Sequence, residues 1–486
     1  VRLAVISDTH FHHDRSAAVG PRRTGIADLL MLRAVHRLNR FVRPDLTVVL
    51  GDIVDEGSSA TTAAQFDTMR RILDLLRMPW LALPGNHDGD PGRFFRHFPP
   101  LPAVLDVAGV RCLPFVDPEA PGYNAYRDSA DLRRLDGARA DGWKGPVVAL
   151  QHVPIFPPGR HSCPYNYVNA GEIVRRMESA GITLAVSGHF HAGIDLLQNG
   201  PLWFAAAPAL CEAPFAYLVV DLGDGAVRAE RQSLAMATDL ALTDIHVHTQ
   251  MAYCNENMDI GMALQLARDL GLLGLRFTEH SGHLYFSHDD YSRACFVGGI
   301  TAAHPDDNRM PAYLAALKRH RLDPRTWGVE IDADAHGVPI MQPGDESALP
   351  FRVGALHGLD VLQDPGVTDA IIAARFLAVL ERFLTYRLDV LAHPFRVFRR
   401  ARRDLPAGLL EPTVSLLRRY GTAAEVNFHT NDPTPDFIRL CIDHGVPLAF
   451  GSDAHNLYEV GEFFPHLALL REAGYEGPLQ DVMMRL

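Results

Sequence analysis

Lysine is nearly missing from this chain: 486 residues contain only two, Lys144 and Lys318. Whatever positive charge the protein presents to a partner is therefore arginine. Cysteine is sparse as well, six residues (Cys112, Cys163, Cys211, Cys254, Cys295, Cys441) with no CxxC pair, so no disulfide framework is implied. No apolar stretch approaches the ~18 residues that a membrane-spanning helix needs. The opening VRLAVISD reads as a buried strand, interrupted too early for a signal peptide, and a cytoplasmic home is expected. The formal net charge of -12 sets the average surface against long nucleic acids and anionic membranes. Low-complexity tracts and fixed-period repeats are lacking too.

What is abundant is histidine. There are 24, about twice ordinary usage, and many sit in short motifs beside Asp, Asn or Gly. The length predicts two or three domains, and 47% hydrophobic with 21% charged residues is the balance of a globular enzyme. Residues 1–235 alternate β-rich runs (LAVISD, LTVVLGD, WLALPGN, PVVALQH, LAVSGHF) with helical periodicity at 26–43 and 61–77. A β-meander follows over 201–232, with the Asp-Gly at 224–225 as its hairpin signal. Around 233–243 the pattern resets. From 240 to 486 a second series of strands (TDIHVH, LLGLRFTEH, WGVEID, FRVGALHG, LDVLAHP, TAAEVN, PLAFGSD) alternates with helices such as 258–271, 367–387 and 408–420. That alternation predicts a parallel sheet or barrel.

In the first half the candidate ligands all follow strands: Asp8 and His10 in SDTH, Asp52 in GDIVDEG, Asn86 and His87 in GNHD, His152 in QHVP, His189 and His191 in GHFH. Open α/β sheets gather side chains beyond their strand carboxyl ends. Two divalent ions ~3.5–4 Å apart need a bridging carboxylate with imidazole and carbonyl ligands around it. One HxH is weak; five such motifs in a fixed order are not coincidence. His12, His13, His161 and Cys163 lie in loops near these motifs, the first two read as solvated and the others as part of a loop that could cap the site.

The ordered set resembles the calcineurin-like metallophosphoesterase family over nearly all of 1–235, by spacing the class III cyclic-nucleotide phosphodiesterases. The resemblance implies a four-layer αββα sandwich with two metals. Asp8, His10, Asp52 and His191 would hold one, and Asp52, Asn86, His152 and His189 the other, with Asp52 bridging. His87 would stabilise or protonate the leaving oxygen, and Asp88 would support His87 electrostatically. Where many relatives carry Arg after the second aspartate of GDxxD, this chain has Glu56. Mixed N/O ligation suits Mn, Fe or Zn.

The second half offers His246 and His248 in DIHVH, Glu279 and His280 in TEH, Glu330 in GVEID, His357 in ALHGLD, His393 in LAHP, and Asp453 and His455 in GSDAH. These segments resemble the polymerase-and-histidinol-phosphatase (PHP) family, in its histidinol-phosphatase-type branch. That likeness implies a distorted (β/α)7 barrel with two or three metals. His246, His248, Glu330 and Asp453 would hold one, and His280, His357, His393 and His455 the others, with Glu330 bridging. The family commonly adds a ligand shortly after HxH; here Cys254, Asn255, Glu256 or Asp259 stands in its place. Just beyond His393 comes FRVFRRARR, with Arg396, Arg399, Arg400, Arg402 and Arg403. Guanidinium groups pair bidentately with phosphate. The run reads either as a phosphate-docking patch, with Arg396 the preferred contact, or as a solvated helix face.

The expectation is a bifunctional phosphoester hydrolase. One half would open a small cyclic-nucleotide-like diester and the other remove phosphate from a monoester of the nucleotide or sugar-phosphate class. Two alternatives stand beside it: a single activity with the other half regulatory, and a nuclease acting on nucleic-acid ends. Amidohydrolase barrels also carry HxH and a late Asp, but they add a catalytic or carboxylated lysine, and no lysine here follows a predicted strand.

Overall fold

The computed structural model describes residues 1–223, 225–236, 238–364 and 366–486. It divides into two compact units, Val1–Ala235 and Met236–Leu486. In the first, a five-stranded sheet runs in the order Ala226–Ser233, Ala216–Gly223, Arg2–Ile6, Leu46–Leu50, Trp80–Leu83, the last three parallel. A six-stranded sheet has parallel strands Leu202–Ala206, Leu184–Ser187, Val147–Leu150 and Val110–Pro114 at its centre. Strand alternation sends Leu3, Val5, Val48 and Leu50 of one sheet and Cys112, Val148, Leu150 and Val186 of the other into a shared core. The second sheet buries its other face with Leu132, Leu135, Ile173 and Met177 from the helices Ser129–Asp136 and Ala170–Ser179. Strands Ala216–Gly223 and Ala226–Ser233 form the expected hairpin ladder; its predicted turn residue Asp224 lies outside the described residues.

The second unit is one sheet of seven parallel strands that follow chain order: Thr243–Val247, Gly274–His280, Gly328–Asp332, Phe351–Ala355, Val390–Leu391, Ala423–Val426 and Leu448–Phe450. First and last edges meet just beyond the final strand, where Asp453 N donates to His246 O (2.8 Å) and His248 N to Ala454 O (3.2 Å). The sheet is thus nearly closed, as in a barrel. Every strand delivers its C-terminal residues to one rim. No helix among the described residues is long and apolar enough to cross a membrane.

Candidate metal centres

The N-terminal centre forms where parallel strands of both sheets end: Asp8, Asp52 and Asn86 follow strands of the first, and His152, His189 and His191 follow strands of the second. Asp8, His10, Asp52 and His189 all have left-handed backbones, φ 54°, 46°, 52° and 64°. Such conformations cost about 1–3 kcal/mol each in a non-glycine residue, and they cluster where surrounding structure enforces a functional geometry. Gly85 must lack a side chain, because a Cβ there would strike Asp52 Oδ1 and the His152 ring.

The side chains converge in two overlapping groups. In one, His10 Nε2 lies 3.3 Å from His191 Nε2, 3.6 Å from Asp52 Oδ2 and 3.9 Å from Asp8 Oδ1. In the other, His152 Nε2 lies 3.3 Å from Asp52 Oδ2 and 3.1 Å from both Asn86 Oδ1 and His189 Nδ1. Asp52 Oδ2 faces both, as a bridging ligand must. Asp8 Oδ1 is buried with no hydrogen-bond partner.

The far nitrogens explain why these atoms point inward. His152 Nδ1–H donates to Leu50 O (2.6 Å), His87 Nδ1–H to Asp55 O (2.8 Å) and His189 Nε2–H to Tyr123 O (3.0 Å). His191 Nδ1 meets Glu212 Oε1 at 2.6 Å, and His10 Nδ1 meets Asp55 Oδ1 at 3.3 Å. The acceptors of His152, His87, His189 and His191 fix their tautomers and leave the other ring nitrogen for the centre, whereas His10 Nδ1 also lies 3.1 Å from Arg22 Nη1. The donor set therefore fits a pair of divalent ions.

Electrostatics agree. Burial alone would raise Asp52, but His152, His10 and His87 outweigh it and hold this carboxyl below its ordinary range. Burial would lower His152, yet Asp52 pushes it up to about 10, while burial and His152 bring His189 down to about 4. A cation entering here takes the place of a proton, so metal uptake is coupled to proton release.

Asp88 departs from expectation. Its carboxylate accepts from the backbone amides of Ile53 (2.8 Å), Val54 (3.0 Å) and Gly85 (2.8 Å), and His87 is oriented by the Asp55 carbonyl instead. Asp88 thus ties the GDIVD and GNHD loops together. Burial and the nearby Asp52 push it up to about 7. Asp88→Asn turns one amide-accepting oxygen into a donor and is expected to cost about 1–3 kcal/mol of stability, read as a lower Tm. His87→Asn should instead cut turnover at unchanged Tm. Equal Tm losses in both variants would contradict this division of labour.

Residues that motif reading missed complete the wall. Arg22 Nη1 donates to Asp55 Oδ1 (2.8 Å) behind His10, Glu212 orients His191, and the Tyr165 ring packs 4.6 Å from His189. Tyr165 belongs to the Pro-rich loop expected to cap the site; His161 packs on Phe156 and Phe190, and Cys163 is buried. His13 meets Gln65 Nε2 at 3.1 Å, and Glu56 accepts from Ser58, so neither enters the centre.

The C-terminal centre is more deeply buried and is built around Glu330. One oxygen, Oε1, lies 3.0 Å from His393 Nε2, 3.5 Å from His357 Nε2 and 3.6 Å from His246 Nε2. The other, Oε2, lies 3.8 Å from His248 Nε2 and in closer contact with His280 Nδ1. Asp453 Oδ1 stands 2.8 Å from His248 Nε2 and 3.6 Å from His246 Nε2. His455 Nε2 and His280 Nε2 are 3.4 Å apart, and the Cys254 thiol is 3.7 Å from His280 Nε2. Of the four residues offered for the extra ligand, Cys254 groups with the imidazoles of His280 and His283. His246 Nε2 and Glu330 Oε2 are buried without hydrogen-bond partners. His393 and Asp453 again carry left-handed backbones, φ 27° and 55°.

Acids behind the centre position these rings: Glu425 on His246 (2.7 Å), Asp332 on His357 (2.6 Å) and Glu279 on His248 (3.4 Å); Glu459 likewise holds His429 (3.0 Å), whose ring stacks on that of His455. Burial opposes charge on His246, but Glu425, Asp453 and Glu330 raise it well above its usual value. Burial brings His393 and His455 down to about 3. Arg396, the expected phosphate contact, is buried against Asp453, with Nη2 3.0 Å from His357 Nε2 and Nε without a partner.

Residues 1–193 match the family model described as calcineurin-like phosphoesterase. The N-terminal half carries a calcineurin-like phosphoesterase domain. A glycerophosphodiester phosphodiesterase, GpdQ, from Enterobacter lignolyticus (strain SCF1) is 32% identical to this chain over 172 residues, covering 32% of this chain and 58% of that protein. The chain thus spans somewhat over half the length of the curated relative it matches. A dimetal phosphatase from Danio rerio aligns at 14% identity and TM-score 0.42, covering 48% of this chain and 96% of its own. A histidinol phosphate phosphatase from Lactococcus lactis aligns at 13% identity and TM-score 0.30, covering 49% of this chain and 95% of its own.

Proposed function

We propose that the chain is two metal-dependent phosphoester hydrolases in one polypeptide: a diesterase in Val1–Ala235 and a PHP-type monoesterase in Met236–Leu486. The observation that carries this reading is the repeated construction of the two centres. In each, a buried carboxylate, Asp52 or Glu330, sits between imidazoles whose far nitrogens are largely fixed by carbonyls or acids. Asp8, His10, Asp52, Asn86, His152, His189 and His191 would hold two ions. His246, His248, His280, Glu330, His357, His393, Asp453 and His455 would hold two or three.

Bound divalent ions of the Mn, Fe or Zn type supply Lewis-acid polarisation of the phosphoryl group and a nucleophile available at neutral pH. The chain's own residues do the rest. His87, held through Nδ1 by Asp55 O, presents Nε2 to the leaving oxygen and can deliver a proton there. The likeness to GpdQ supports a small phosphodiester as substrate of the N-terminal site. In the C-terminal site Arg396 balances Asp453 and offers its partnerless Nε toward an incoming phosphoryl group. A diesterase releases a monoester, which is the kind of substrate a phosphatase consumes, so the two activities can act in sequence.

Chelation tests the reading. Protein stripped of metal should lose hydrolysis of both bis(p-nitrophenyl) phosphate and p-nitrophenyl phosphate, and Mn2+ should restore both. Full activity on either substrate after stripping would rule the proposal out for that site.

A further inference from the structure

The two centres open into cavities of opposite character. The N-terminal one, about 320 Å³, is lined by Asp117 and Glu119 and by no Arg or Lys among the described residues. The C-terminal one, about 470 Å³, is lined by Arg396, Arg400 and several imidazoles and by no Asp or Glu among the described residues. In a chain of net charge -12, an acid-free cavity wall is a selective feature. The acids nearby lie one layer deeper and are already engaged: Asp453 by Arg396 and His248, Asp332 by His357, Glu459 by His429.

Arg396 and Arg400 begin and end one helix, Arg396–Arg400. A spacing of four puts both on the same face, with Cα atoms ~6 Å apart along the axis. Arg396 is buried at the centre, and Arg400 is exposed at the cavity's edge. Of the neighbouring arginines, Arg399 pairs with Asp432, Arg403 donates to Asp364 O (2.6 Å), and Arg402 is exposed and does not line the cavity. Arg400 makes no hydrogen bond or ion pair among the described residues, and Ser292 and Thr430 add hydroxyl donors to the same wall. One guanidinium next to the ligands serves the reacting phosphoryl group. A second, unengaged one further out has no use for a substrate that ends there.

We propose that the C-terminal site takes a bisphosphorylated substrate, one phosphoryl group reaching the centre beside Arg396 and the other held by Arg400 at the mouth. This rests on the reading of that half as a phosphomonoesterase. Arg400 binds the non-reacting phosphate through charge-assisted hydrogen bonds and sets the distance between the two groups.

The test uses the full chain loaded with Mn2+, comparing propane-1,3-diyl bisphosphate with propyl phosphate. The bisphosphate should show a KM lower by about tenfold. Arg400→Ala should raise its KM to that of propyl phosphate, whereas Arg399→Ala should keep the difference. Calorimetry with propane-1,3-bisphosphonate and propylphosphonate, neither hydrolysable, gives a second readout that needs no turnover. Equal KM and equal affinity within each pair, or a preference that survives Arg400→Ala, overturns the inference while hydrolysis of propyl phosphate keeps the phosphatase reading. Tight, Arg400-dependent bisphosphonate binding with no monoester turnover does the reverse.

Discussion

Asp52→Ala is expected to cripple diester hydrolysis and to leave monoester hydrolysis in place. Asp52 Oδ2 faces both ligand groups of the N-terminal centre, at 3.6 Å from His10 Nε2 and 3.3 Å from His152 Nε2. Losing an outer partner of a metal ligand typically costs about 10–100-fold. Losing the carboxylate shared by two ions should cost more, on the order of 10³-fold in kcat/KM for the diester, with a measurable loss of bound metal. Asp52 Oδ1 also accepts from His87 N (2.8 Å), so the alanine variant strands a backbone donor. Asp52→Asn keeps that acceptor and removes the negative charge. Both variants should therefore lose diesterase activity, and the asparagine one should retain the wild-type Tm more closely. Diester turnover within tenfold of wild type in both would remove Asp52 from the centre.

The mirror experiment is Glu330→Gln. Five imidazoles approach the Glu330 carboxylate, from His246, His248, His280, His357 and His393. They and Asp453 cannot gather around an uncharged amide in the same way. Burial would raise Glu330, but His280, His357 and His246 hold it far below its usual value, so the site is built for the anion. The glutamine variant should release metal from the C-terminal half and lose monoester hydrolysis, again on the order of 10³-fold, while diester cleavage to the monoester continues. Metal analysis and phosphate release on the same sample decide it. Unchanged metal content with lost activity would assign Glu330 a role other than ligand.

The candidate ligands were legible in the sequence because each lies within or just after a strand, and strand ends are where a parallel sheet gathers side chains. SDTH, GDIVDEG, GNHD, QHVP and GHFH do converge in space, as do DIHVH, TEH, GVEID, ALHG, LAHP and GSDAH. The seven parallel strands of the second unit likewise follow the alternation of β-rich and amphipathic segments. What the sequence hid is the layer behind the ligands. Glu212 carries no motif of its own, Glu425 sits in the TAAEVN strand with no imidazole beside it in sequence, and their partners His191 and His246 lie 21 and 179 residues away. Arg22 reaches Asp55 from a loop with no periodic signal. Asp88 misled for the opposite reason: adjacency to His87 suggested a direct effect, whereas the tight turn directs its carboxylate at three backbone amides. The arginine run divided residue by residue, Arg396 buried on Asp453, Arg399 paired with Asp432 and Arg400 facing the cavity, a division that depends on helical phase and on acids distant in the chain.

The central claim, two hydrolytic sites of complementary chemistry in one chain, is tested most directly by phosphorus NMR of a small phosphodiester incubated with the Mn2+-loaded protein. Wild type should convert diester to monoester and then to free phosphate, Asp52→Asn should stop at the diester, and Glu330→Gln should accumulate the monoester. Free phosphate appearing at the wild-type rate in the Glu330→Gln sample, or no phosphate from wild type once monoester has formed, would contradict the account and leave the chain with one hydrolytic site.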